Sequence, residues 1–239
     1  MKGDYAMTGL KTAAVFLLAV LLAQSGCVSR ESMRIREDAR AAGMRLRYQP
    51  IEWVKVQEFD FESSGVMDKF IVVEGDWEVR GGRLCAVYGD RNRAILLARG
   101  FEGPLRVEME VVNYASDGLI GDITILLNSS PDSDFFRSGY ALTTGSYWNT
   151  LTTFYKKGAA ISNTSWSPVA SGRKNHVVVE FNDGHIRYEL NGKRILEAWD
   201  ENPLIMTDEG WIGVRTWSTL MCVERVAVYK GHRAADETP

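Results

Sequence analysis

The sequence predicts an all-β fold, an antiparallel sandwich of two sheets, and two observations lead to that prediction. From Ile51 onward, apolar and polar residues alternate with a period of two, which is typical of strands with one buried face. Glycine and Asn-Gly turns separate these segments at intervals of about 8–12 residues, the spacing of a sandwich or a barrel. We therefore expect roughly a dozen strands in one domain, residues 51–231, with a closed barrel as the alternative.

The predicted strands follow one another with short turns between them. Residues 106–111 alternate most clearly, because Val107, Met109 and Val111 share one face and charged residues share the other. Hairpin turns are predicted at Gly81-Gly82, Asn182-Asp183-Gly184 and Asn191-Gly192. No segment of the domain shows helical periodicity. The predicted strands are residues 58–61, 77–80, 83–88, 106–111, 123–127, 140–144, 150–155, 177–181, 186–190, 194–199, 211–217 and 221–230.

The first 26 residues predict a signal peptide. Lys2 and Lys11 supply positive charge, and residues 13–23 form an apolar run that is too short to span a membrane. Ser-Gly-Cys at the end resembles the bacterial lipobox, although Gln24 stands where the lipobox prefers leucine. The resemblance implies that Cys27 carries lipid. The alternative is ordinary signal-peptidase cleavage nearby, which would leave Cys27 as a free thiol.

A short helical tether is predicted between the lipid and the domain, over residues 27–50. This segment is charged and rich in helix formers, and Pro50 ends it. Val28 follows the cysteine, which by analogy with enterobacterial sorting rules predicts the outer membrane. Residues 232–239 are predicted to be a disordered tail.

Charge and metal-ligand residues limit the possible functions. The chain has 28 basic and 31 acidic residues and a net charge of −3, so we expect no nucleic-acid surface. Cys85 and Cys222 are an even pair in an oxidising compartment, but we expect two separate buried thiols, with a disulfide as the alternative. The three histidines lack metal-ligand spacing, so no metal site or cofactor is predicted; a structural calcium near Asp60 or Asp200 is the alternative.

Several segments, in order, resemble the concanavalin A-like (laminin-G/glucanase) jelly roll of bacterial polysaccharide-utilisation lipoproteins. They are residues 59–61, 77–84, 139–142, 148–158, 184–192 and 210–217. The related groups are 3-keto-glycoside hydrolase-like and polysaccharide-lyase-associated proteins. The resemblance covers about residues 54–231 and implies a jelly-roll fold that handles carbohydrate. It implies no single activity, because this architecture hosts lectins, hydrolases, lyases and adhesion modules.

Two groups of residues are candidates for ligand binding. Trp148 and Asn149 lie in a loop between two predicted strands, where the ring is able to stack on a sugar and the amide to bind its hydroxyls. Tyr147 is a weaker companion, and a tryptophan folded over the sheet edge is the alternative. Arg215 and Trp217 share one face of a later strand. There Arg215 would bind a uronate carboxylate, or a neighbouring acid if that face is not the binding face.

Glu108 and Glu110 are the catalytic candidates if the protein is an enzyme. They point the same way along one strand, about 7 Å apart, and paired carboxylates serve retaining glycosidases. The jelly-roll glucanases use an E-x-D-x-x-E strand, whereas residues 108–113 read Glu-Met-Glu-Val-Val-Asn. We therefore favour a solvated outer strand face for this pair.

The leading hypothesis is an exported, lipid-anchored, lectin-like domain of the cell envelope that serves polysaccharide capture or degradation. Its expected partners are a carbohydrate and, through Cys27, a membrane. One alternative is a glycan-active enzyme, a 3-keto-glycoside hydrolase or a polysaccharide lyase. A second alternative is a structural or adhesion module.

Overall fold

The alternating segments form the strands of two antiparallel sheets. A computed structural model describes residues 51–62, 65–87, 92–114, 122–132, 135–167 and 169–233. The predicted signal peptide, Cys27, the tether and residues 234–239 lie outside the described residues. Within the described ranges, no helix has the length and apolar character needed to cross a membrane.

Every strand pair in the two sheets is antiparallel, which confirms the predicted sandwich. In spatial order, the eight-stranded sheet contains β13 (Lys193–Trp199), β12 (His185–Leu190), β11 (Lys174–Asn182), β6 (Leu105–Tyr114), β15 (Leu220–Arg233), β4 (Arg83–Ala86) and β3 (Trp77–Arg80), with β1 (Ile51–Asp60) also paired to β15. The seven-stranded sheet contains β10 (Ala159–Thr164), β9 (Leu151–Lys156), β8 (Tyr140–Gly145), β7 (Ile123–Ser129), β14 (Trp211–Trp217), β5 (Asn92–Arg99) and β2 (Ile71–Glu74). Three short helical turns are a 3₁₀ turn (Val66–Lys69), α1 (Phe135–Ser138) and α2 (Ser146–Asn149).

The structure contains elements that the sequence did not predict, namely β2, β5, β10 and the three short turns, which are the 3₁₀ turn, α1 and α2. Strand β5 was missed because it does not alternate: residues 94–98 are apolar and all buried, since this strand is covered on both faces. The last strand also runs past the predicted domain end at residue 231, because Arg233 still pairs with Ile51 of β1.

The hydrophobic core lies between the two sheets. From β6 it receives Val107, Met109 and Val111, the three residues that share the predicted apolar face. From β7 of the opposite sheet it receives Ile125 and Leu127. Complete burial of such a side chain contributes about 1.5–3 kcal/mol, so the period of two determines which face of each strand points inward.

The predicted hairpin turns are present at the expected positions. In the turn between β12 and β13, Asn191 and Gly192 both have positive φ, 52° and 74°. This is the backbone of the tight hairpin turns that match the twist of the flanking strands. Gly184, in the turn before β12, also excludes a side chain, because a Cβ there would lie 2.4 Å from the carbonyl oxygen of Asp200.

A disulfide joins Cys85 and Cys222, so the expectation of two separate buried thiols is wrong. The two residues face each other directly across β4 and β15. Directly opposed residues of an antiparallel pair have Cβ atoms close enough for a disulfide. The sequence did not predict this pairing, because the cysteines are 137 residues apart.

We expect the double variant Cys85→Ala/Cys222→Ala to lower the free energy of unfolding by about 2–5 kcal/mol, because the unfolded chain loses a long closed loop. Guanidinium unfolding with and without dithiothreitol measures this difference. The reductant should destabilise the wild type and leave the double variant unchanged. Free thiols on both Cys85 and Cys222 in the unreduced, unfolded wild type, located by alkylation and peptide mapping, would contradict the disulfide.

Candidate functional site

A cleft of about 490 Å³ opens on the outer face of the seven-stranded sheet. On β14, Ile212 and Val214 point into the core, so the alternating residues Arg215 and Trp217 point outward into the cleft. Pockets for small ligands have volumes of about 300–1,000 Å³, and this cleft lies within that range. Four of the five predicted binding residues line it, namely Tyr147, Trp148, Arg215 and Trp217.

Three aromatic side chains form the open rim of the cleft. Trp148 is 75% exposed, Tyr147 is 71% exposed and Trp217 is 49% exposed. Trp148 therefore does not fold back over the sheet edge. Large rings that gather at one cleft with their faces accessible to solvent are typical of a ligand-binding surface rather than of a core.

The turn α2 holds Tyr147 and Trp148 in an unusual backbone conformation. Tyr147, Trp148 and Asn149 have φ values of 49°, 65° and 60°, in the left-handed region. For residues other than glycine this conformation costs roughly 1–2 kcal/mol each, so it persists only where its surroundings hold it. Gly145, with φ of 90°, leads the chain into this turn. Such strain is concentrated at functional sites in proteins.

Asn149 holds this turn instead of lining the cleft. Its Nδ2 donates to the carbonyl oxygen of Val169 at 2.9 Å, and its Oδ1 accepts from the hydroxyl of Ser167 at the same distance. Asparagine also tolerates the left-handed region better than most residues. Asn149 therefore contributes by fixing the position of Trp148, and its amide is already engaged within the protein.

Asp122 ties together the base of the cleft. Its carboxylate accepts a hydrogen bond from Nη1 of Arg215 at 2.9 Å and another from the backbone N–H of Trp217. It also accepts from the hydroxyl of Thr124 at 3.2 Å. Burial raises the pKa of Asp122 above its ordinary value, while Arg215 and these donors favour the charged form. Arg215 therefore lies on the cleft face and still meets a neighbouring acid.

Neutral groups complete the cleft. The ring of Phe136 in α1 lies under the guanidinium of Arg215, with 5.0 Å from Cζ to the ring centroid, and packs against Tyr155 of β9. Thr143 of β8 bonds Thr124 through its hydroxyl at 2.9 Å. The side chain of Thr219 is buried at the base, and its hydroxyl has no hydrogen-bond partner among the described residues. These groups offer hydroxyls and apolar surface.

Glu108 and Glu110 lie on the outer face of the other sheet, away from the cleft. Their neighbours on β6 fill the core, so both carboxylates point outward among basic side chains. Glu108 bonds Arg106 at 2.6 Å and the hydroxyl of Tyr229 at 3.2 Å. Burial alone would raise the pKa of Glu108, but these bonds hold the pKa below its ordinary value.

Glu110 is held in the same way. Lys174 bonds it at 3.0 Å and Arg225 at 3.2 Å, and the bond from Lys174 lowers the pKa of Glu110. A general acid needs a raised pKa near the reacting atoms, and this arrangement gives the opposite. The geometry therefore favours the interpretation of Glu108 and Glu110 as ion-pairing residues on an outer strand face over a catalytic role.

Asp200, one of the two acids considered for calcium, is bonded to other protein groups. Asp200 forms an ion pair with Lys156 at 2.8 Å and accepts the hydroxyl of Tyr140 at 2.7 Å. Across the described ranges, no group of three or more His, Cys, Asp or Glu side chains is arranged to hold a metal ion.

Sequence reasoning missed eight cleft residues, namely Asp122, Phe136, Thr143, Gly145, Ser146, Tyr155, Ser218 and Thr219. The position of Asp122, an acid directly before the apolar strand at 123–127, was the one available signal. Its partner Arg215 is 93 residues away, so no local pattern links the two.

Solved structures with similar folds include sugar-binding domains. The carbohydrate-binding module CBM66 from Bacillus subtilis superposes with a TM-score of 0.57 at 17% identity, covering 68% of this chain and 96% of the module. A Bacillus subtilis protein of unknown function with a galectin-like fold superposes with a TM-score of 0.62 at 14% identity, covering 77% of this chain and 100% of that protein. The exoplasmic/lumenal domain of VIP36, bound to Ca²⁺ and Man3GlcNAc, superposes with a TM-score of 0.58 at 11% identity. The superposition covers 79% of this chain and 93% of the VIP36 domain.

The described domain has the concanavalin A-like jelly-roll fold. At these identities the likeness establishes the fold alone. Neither protein-family profiles nor curated protein sequences give a match to this chain.

Because Trp148 lies in a left-handed turn, its glycine variant should be more stable than its alanine variant. Glycine adopts positive φ without strain, so we expect Trp148→Gly to be more stable than Trp148→Ala by about 1 kcal/mol. Urea unfolding of the two variants measures the difference, and both lack the same fluorophore. In an ordinary loop glycine would be the less stable of the two, and that order would contradict the turn.

Proposed function

We propose that this domain binds carbohydrate in the cleft on its seven-stranded sheet. The observation that carries the proposal is the rim of three exposed rings, Tyr147, Trp148 and Trp217, above a base of hydroxyls. Sugar rings present apolar C–H faces and hydroxyl edges, so an aromatic platform with polar groups beside it suits them. The strained turn under Trp148 supports the proposal, because it holds a ring outward where burial would be more favourable.

The fold supports the same proposal. A carbohydrate-binding module and a domain solved with Man3GlcNAc share the architecture, although at 17% and 11% identity they establish no function for this chain. The enzyme alternative depended on Glu108 and Glu110, which are engaged in ion pairs on the other sheet. The adhesion alternative predicts a broad apolar patch, whereas the rim consists of separate rings around a cleft.

We further propose that the protein is exported and anchored in the outer membrane through lipid on Cys27, where it captures polysaccharide or assists its degradation. The disulfide between Cys85 and Cys222 supports export, because structural disulfides form and persist in oxidising compartments. The signal-like residues 1–26 and the lipobox-like sequence before Cys27 support the anchor.

Loss of either tryptophan at the rim should weaken glycan binding. On a polysaccharide array, followed by calorimetry on the best binder, we expect Trp148→Ala and Trp217→Ala each to lower affinity about tenfold or more, which corresponds to about 1.4 kcal/mol.

Trp166→Ala is the matched control, because Trp166 is 43% exposed but does not line the cleft. This variant should bind like the wild type. Equal losses from all three substitutions, or no binding by the wild type to any polysaccharide, would contradict the proposed cleft.

The anchor is tested in the full chain. We expect wild-type protein expressed in a Gram-negative bacterium to incorporate labelled palmitate and to sediment with membranes, and Cys27→Ala to do neither. Cys85→Ser is the matched control and should retain the label. Labelling that persists in Cys27→Ala would refute lipidation at that residue.

A further inference from the structure

We infer that the cleft selects uncharged sugars over uronates and sulfated glycans. This inference rests on the proposed carbohydrate binding and names the class of ligand for the same site. It also replaces the expectation that Arg215 pairs with a uronate carboxylate.

The charges in the cleft are balanced. Asp122 and Arg215 are the ionisable acid and base among its described lining residues, and they bond each other at 2.9 Å. Their side chains are only 6% and 12% exposed, so the pair is largely withdrawn from solvent. The two charges offset each other, and the described lining carries no net charge.

An acidic ligand would meet a buried carboxylate beside Arg215. A carboxylate approaching Arg215 would meet the negative charge of Asp122, which is buried and accepts a hydrogen bond from Nη1 of this arginine. Displacing Asp122 would leave a buried carboxylate without its charge partner, which is strongly unfavourable. The other carboxylate oxygen of Asp122 accepts the backbone N–H of Trp217, so the same acid also holds the rim.

The remaining polar groups of the described lining are uncharged. Besides the rings, the ion pair and Gly145, the described lining consists of four residues with hydroxyl groups, Thr143, Ser146, Ser218 and Thr219. The buried hydroxyl of Thr219 has no hydrogen-bond partner within the described ranges. Hydroxyls both donate and accept hydrogen bonds, which suits the hydroxyls of a neutral sugar. They carry no positive charge that would attract an anion.

Basic side chains do gather elsewhere, but they are paired. On the outer face of the eight-stranded sheet, Arg106 bonds Glu180 and Arg225 bonds Glu58. Lys174 bonds Glu224 on the same face. An acidic polysaccharide would have to break these ion pairs, so that face also lacks a ready anion site.

The experiment compares neutral with acidic polymers. Purified protein is tested by affinity electrophoresis against neutral glucans, mannans, galactans and fructans and against polygalacturonate, alginate and chondroitin sulfate, at 0.05 and 0.5 M sodium chloride. We expect binding to a neutral polymer that is unchanged by salt, because screening affects charge interactions only. Binding confined to acidic polymers and weakened by salt would overturn this inference, whereas no binding to any polymer would overturn the proposed function itself.

A pair of variants tests the charge argument directly. Asp122→Asn preserves the shape of the side chain and raises the net charge of the cleft by one unit. We expect it to gain at least about tenfold in affinity for polygalacturonate at low salt, with the gain lost at high salt. The double variant Asp122→Asn/Arg215→Gln restores neutrality and should show no gain.

Thermal unfolding establishes that both variants are folded. A folded Asp122→Asn variant with wild-type preference would overturn the role of the pair. If that variant does not fold, the comparison of polymers with the wild type still decides the inference.

Discussion

The pairing of β15 with β6 is the interaction on which the rest of the structure depends. It extends from Leu220 to Lys230, and on its other side β15 pairs with both β4 and β1. This register directs Val226 and Val228 into the core. A slip of one residue would turn these apolar side chains to solvent, so burial and register enforce each other. The disulfide at Cys222 secures the same strand close to its start.

The cleft lies where the chain crosses between the two sheets. Strand β14 belongs to the seven-stranded sheet and β15 to the other, and only Ser218 and Thr219 separate them. Both residues line the cleft. The core register therefore also sets the position of Trp217 on one side of the crossing. On the other side, the hydrogen bonds of Asn149 hold Trp148 in its strained turn. Rigid strands thus support an exposed aromatic rim.

The two outer faces of the sandwich have different chemistry. The eight-stranded sheet presents acids and bases in alternating ion pairs, such as Arg106 with Glu108 and Arg225 with Glu110. The cleft on the seven-stranded sheet presents rings, hydroxyls and, among its described lining residues, one buried ion pair. A charged, strongly hydrated face resists association, while a cleft with balanced charges and exposed rings favours a ligand that is itself uncharged and rich in C–H surface. This separation is the physical basis of both functional proposals.

The sequence by itself determined most of the strands, the inward face of β6, the turn at Asn191-Gly192 and four residues of the cleft. These features follow from local periodicity and turn chemistry, which neighbouring residues encode. Only the tertiary structure decided that Cys85 meets Cys222 and that Asp122 neutralises Arg215, because these partners are 137 and 93 residues apart. Strand pairing brings such residues together, and the pairing results from the packing of the whole sandwich rather than from any local pattern.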